Sequence, residues 1–73
     1  MKITFDPEAD AVYIQLQEGT FVTNREVADG VILDLGPDDV VLGIEILEAS
    51  TRLPSGDVSR LEILMPAVRP VVA

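Results

Sequence analysis

The stretch FDPEADAVYIQL, residues 5–16, decides the fold. Its second half alternates. Val12, Ile14 and Leu16 fall on one side of an extended chain, and Ala11, Tyr13, Gln15 and Gln17 on the other. Period two is the mark of a half-buried β-strand. The first half sets three acids, Asp6, Glu8 and Asp10, within five residues. That D-x-E-x-D spacing matches positions 1, 3 and 5 of a calcium loop. The later positions fail, because Ala11 stands where the loop needs Gly and Gln17 where it needs a bidentate Glu. Turn chemistry accounts for the acids instead. Asp6 is placed to accept backbone N–H bonds, Pro7 suits the first position of a helical turn, and Glu8 lies near its positive end. The segment reads as a capped turn between two strands, not as a metal site.

Working outward, Ile3 and Phe5 alternate with Lys2, Thr4 and Asp6 as the strand before that turn. Gly19 in EGTF ends the strand after it. A weaker third strand runs from about Phe21 to Val27, with polar Thr23, Asn24, Arg25 and Glu26. Asp29-Gly30 is a strong hairpin signal. Val31, Leu33 and Leu35 follow as a fourth strand, with Ile32 and Asp34 facing away. GPDD at 36–39 is a second turn. The fifth strand is the most apolar, with Val40, Leu42, Ile44 and Ile46 against Val41, Gly43, Glu45 and Leu47. Gly43 inside it marks a bulge or a close backbone approach, so this strand is expected to bend.

The period changes at residues 48–53, which fit one helical turn stopped by Pro54. Residues 59–65 are read as a sixth strand on the alternation of Leu61, Ile63 and Met65, although Leu61, Leu64 and Met65 also fit a short helix. Residues 67–73 read as an extended tail, since Pro70 forbids full sheet pairing. The expected fold class is mainly β. It is an antiparallel meander of five to six short strands with one short helix near 48–53, all in one domain, 1–73.

Composition narrows the functional classes. A chain of 73 residues buries about 60% of the surface its unfolded form exposes, so its core is thin. It has no Cys and no His. Disulfides, soft-metal sites and the usual neutral-pH proton carrier are therefore absent. Homodimerisation or a higher homo-oligomer is the expected support, covering open sheet edges and residual apolar surface. Formal net charge is −8, from 13 acids and 5 bases. That field repels nucleic-acid phosphates and attracts a basic protein partner. Acids in the first twenty residues leave no secretory h-region, and no apolar run approaches a membrane span. A cytoplasmic location is expected.

The sequence offers no catalytic, cofactor or metal residues by motif. Asp34 and Glu45 lie on adjacent expected strands and form the best carboxylate pair. They, or the acids at Asp6–Asp10, support an alternative reading as a ligand-binding or minor enzymatic site. The preferred contact for a partner is Asp38, Asp39, Glu45 and Glu48, the densest local run of acids. Such a run also serves as a solvated edge that deters aggregation.

Three segments together resemble a known family: MKITFDPEADAVYIQL, EVADGVILDLGPDDVVLGIEILEAS and the following TRL. They are similar to the small bacterial and archaeal proteins grouped as DUF2283, over about residues 1–53. The resemblance rests on D-P-E-A-D-A at 6–11, the apolar-Tyr-Ile strand at 12–14, and G-I-E-I-L-x-A-S at 43–50. It implies a compact β-meander with a short helix and no established activity. It also implies an antitoxin-like or partner-binding role beside a basic neighbouring gene product.

Overall fold

The computed structural model describes residues 1–53 and 60–66. Five antiparallel strands form one sheet: β1 (Lys2–Asp6), β2 (Ala11–Gln15), β3 (Thr23–Ala28), β4 (Val31–Leu35) and β5 (Val41–Ile46). A 3-10 turn at Pro37–Asp39 joins β4 to β5, and a single short helix, α1 (Ala49–Arg52), follows β5. The fold is mainly β, as the period-two pattern requires. Asp6 caps the turn after β1, its Oδ1 accepting the N–H of Glu8 at 3.0 Å and of Ala9 at 3.3 Å.

The strand order is β1-β2-β5-β4-β3, which departs from an uninterrupted meander. The departure begins at the connection from Leu16 to Val22. It crosses the end of β5 and delivers β3 to the far edge, where Val22 N–H donates to the Leu35 carbonyl at 2.8 Å. Gly19 and Gly36 make the crossing possible. A Cβ on Gly19 would lie 2.6 Å from a methyl of Leu42, and one on Gly36 would crowd the carbonyl of Thr20. The most apolar strand, β5, thereby takes the centre. The most polar strand, β3, takes an edge, where solvent meets its Asn24 and Glu26.

β5 carries the bulge expected beside Gly43, and the extra residue is Leu42. Asp34 pairs with Gly43 and Leu35 with Val41, which leaves Leu42 outside the ladder. Its carbonyl is not orphaned. It accepts the N–H groups of Leu16 at 2.8 Å and Gln17 at 3.3 Å, while Gln17 Nε2 donates to the Val41 carbonyl. The bulge also shifts the face pattern, so that Val41 rather than Leu42 stands opposite Leu35.

Register sorts the strands into two unlike faces. One face carries Ile3, Phe5, Val12, Ile14, Val31, Leu33, Leu35, Val41, Ile44 and Ile46, with Thr23, Arg25 and Ala28 on the β3 edge. The other carries Lys2, Thr4, Asp6, Ala11, Tyr13, Gln15, Asn24, Glu26, Ile32, Asp34, Gly43 and Glu45. Buried apolar side chains among the described residues are few: Leu35, Leu42 and Ala49.

The sixth strand expected over 59–65 does not form across the described residues 60–65, which have no regular structure and are exposed. Both sheet edges stay unpaired by this segment, so its alternating side chains gain no ladder. The tail at 67–73 and residue 59 lie outside the described residues.

Candidate functional site

The polar face holds an open cleft of about 380 Å³. Thr4, Asp6, Tyr13, Asp34 and Glu45 supply its polar lining. The sheet itself sets this geometry. Tyr13 on β2 pairs directly with Glu45 on β5, and Asp34 on β4 pairs with Gly43 one step further along β5. Gly43 has no side chain, so the Tyr13 ring lies over it. A Cβ there would overlap the Tyr13 hydroxyl and its ring carbon. The ring thus reaches across β5, and its hydroxyl donates to Asp34 Oδ2 at 3.1 Å. Burial raises the Tyr13 pKa above its ordinary 10.0, and the Asp34 hydrogen bond and the charges of Asp34 and Glu45 raise it further. The phenol is neutral at physiological pH and holds the Asp34 carboxylate in place.

Asp34 and Glu45, paired from the sequence, do share this cleft. The four preferred contact residues do not converge. Asp38 and Asp39 lie in the 3-10 turn before β5, and Glu48 lies just after it. A strand of this length separates the two ends by roughly 20 Å. Asp39 is engaged by Arg25 at 3.8 Å, both side chains being exposed. Glu48 adopts a left-handed backbone as the residue before α1. Glu45 alone of the four lines the cleft. The cluster was dense along the chain but not in space, because an extended strand lies between its members.

Asp10 proves to be structural. Its carbonyl accepts the Ala49 N–H at 2.9 Å. Its carboxylate accepts the Ser50 N–H at 3.1 Å and the Ser50 hydroxyl at 2.6 Å. The turn after β1 therefore caps α1 from 40 positions away, satisfying donors that a helix start leaves free. Arg52, in the same helical turn, reaches over the β3–β4 hairpin to Asp29 at 3.7 Å. Gly30 in that hairpin has φ +76°, and a Cβ there would strike the Arg52 guanidinium.

Sequence reasoning placed Tyr13 on one side of its strand and gave it no part in a site. The available signal was Gly43 in a strand otherwise rich in bulky residues, which asks what large group occupies its space.

The chain belongs to the DUF2283 family, described as proteins of unknown function, whose model matches residues 2–50. Both halves of the Asp10–Ser50 clasp fall inside that match. The chain is also similar to a protein of Methanosarcina mazei named "Putative hypoxanthine phosphoribosyltransferase", at 37% identity over 51 residues. The match covers 70% of this chain and 41% of that protein, so the chain spans about two fifths of the relative's length. No solved structure matches. No helix among the described residues is long and apolar enough to cross a membrane.

Proposed function

We propose that this DUF2283 protein is a noncatalytic interaction module whose polar sheet face receives basic side chains of a protein partner. One observation carries the reading: Asp6, Asp34 and Glu45 line a single cleft that contains no cationic side chain among the described residues. Among the strand residues of the polar face, Asp6, Glu26, Asp34 and Glu45 stand against Lys2 alone. A net charge of −8 extends that field and speeds encounter with a cationic partner. The cleft is open and wide enough for a lysine or arginine side chain, whose stem would lie along Ala9, Ala11 and the Tyr13 ring. The role fits a chain without His or Cys, and the antitoxin-like function implied by the family resemblance is one form of it.

The test uses an arginine-rich peptide as probe, followed by the fluorescence of the single tyrosine, Tyr13. Binding is expected to weaken as salt rises. The double change Asp34→Asn, Glu45→Gln should weaken it at least tenfold, about 1.4 kcal/mol. Binding that ignores this pair but is lost in Asp38→Lys, Asp39→Lys would move the contact to the turn and overturn the reading.

A further inference from the structure

We propose that Asp29 is a site of spontaneous isoaspartate formation, in which the Gly30 main-chain nitrogen closes on the Asp29 side chain. The step needs a carboxyl group free to swing, an unshielded N–H on the next residue, and no side chain there to obstruct the ring. Asp29 and Gly30 form the link between β3 and β4, outside both strands. The Asp29 side chain is fully exposed, and Arg52 contacts it at 3.7 Å. A pair so open to solvent holds a carboxylate weakly. Gly30 has φ +76° and no side chain. Its N–H donates no hydrogen bond among the described residues, whereas its carbonyl accepts the Leu47 N–H at 2.8 Å.

Asp29 alone among the aspartates is followed by Gly, and each of the others lacks a requirement. Asp6 precedes Pro7, which has no N–H. The Asp10 carboxylate is held by Ser50, and that of Asp34 by Tyr13. Asp38, Asp39 and Asp57 precede residues whose side chains flank the attacking nitrogen. At Asp29 the Gly30 nitrogen attacks Cγ of the carboxylic acid form. A C–N bond forms, a C–O bond breaks, and water leaves with the amide proton, giving a succinimide ring. Water then opens the ring. Attack at the main-chain carbonyl breaks its bond to the Gly30 nitrogen, so the chain continues through Cβ and Cγ and a free α-carboxylate remains. One water is released and one consumed, so mass and oxidation state are unchanged. The β3–β4 link gains one main-chain carbon, which displaces the Gly30 carbonyl from the Leu47 N–H and the carboxylate from Arg52. The product is a substrate for an isoaspartyl-specific carboxyl methyltransferase.

The test is made on the unmodified, folded chain, incubated at neutral pH and physiological temperature. Samples are treated at intervals with such a methyltransferase and S-adenosylmethionine carrying a labelled methyl group, then cut into peptides. One labelled peptide, containing Asp29 and Gly30, should accumulate at a rate within about tenfold of that in urea, because an exposed loop tip opens at little cost. Asp29→Asn should accelerate the labelling, since an amide is uncharged at neutral pH and a carboxylate is not. Asp29→Glu keeps the charge opposite Arg52 but would need a larger ring, and should abolish the label. Label appearing first at another residue, a folded-state rate slower than stated, or a label that survives Asp29→Glu would each overturn the proposal.

Discussion

Asp10 shows how one residue can carry two parts of a family pattern. Its backbone has φ +51°, a left-handed conformation that Asp tolerates better than most side chains. In that conformation its carbonyl and carboxylate both engage the start of α1. Replacing it with Ala should cost about 0.5–2 kcal/mol, the usual range for a lost cap. Urea unfolding checks this. The Ser50→Ala change should add little in the Asp10→Ala background, because the two share one interaction. Full additivity would contradict the clasp. Tyr13 gives a second prediction at this scale. Its folded pKa is raised, so the folded state holds its proton after the unfolded state has lost it. Its contribution to stability is complete below pH 10 and is lost as pH rises through the folded value. Ultraviolet titration should place the midpoint above 10, and Asp34→Asn should bring it down, since burial alone then remains beside Glu45. A midpoint unmoved by Asp34→Asn would contradict the cleft geometry.

At the scale of elements, β5 organises the sheet, and its Leu42 bulge fixes how the β2–β3 connection crosses. Leu42 is 7% exposed and packs under Gly19 and Gly36. Leu42→Ala should cost about 2–5 kcal/mol, a large share of the stability of so small a domain. Gly19→Val should also destabilise, but less when combined with Leu42→Ala, because the smaller residue removes the clash. Thermal unfolding of the three variants checks both statements. The strands themselves were legible in the sequence because alternation and turn residues are local. Asp29-Gly30 and the turn at Asp6–Asp10 appear where those signals put them. The strand order was not legible, since the pairing of β2 with β5 joins residues about thirty positions apart and leaves no local trace. The bulge was half legible: Gly43 announced a disturbance, but only the ladder shows that Leu42 is the extra residue. Residues 60–65 alternate like a strand, yet they pair with neither edge of the sheet, and alternation alone forms no strand. The cleft was legible in Asp34 and Glu45 and missed in Tyr13, whose reach depends on the empty space at Gly43.

At the scale of the molecule, the account is of a sheet with two unlike faces. The carboxylate face is proposed for a basic partner, on the register that places ten apolar side chains opposite the row from Thr4 through Tyr13 and Glu45 to Ile32 and Glu26. If the homo-oligomer expected from the composition covers residual apolar surface and stabilises the folded chain, the melting temperature rises with protein concentration. A melting temperature independent of concentration across a hundredfold range would speak against that linkage. The most direct measurement is the accessibility of each face in solution to a neutral, soluble gadolinium chelate, read from the methyl and aromatic signals of the unmodified protein. Signals of Ile14, Leu33 and Ile44 should be protected, while those of Tyr13 and Ile32 broaden. Equal broadening of both faces, or protection of the Tyr13 face alone, would contradict the account.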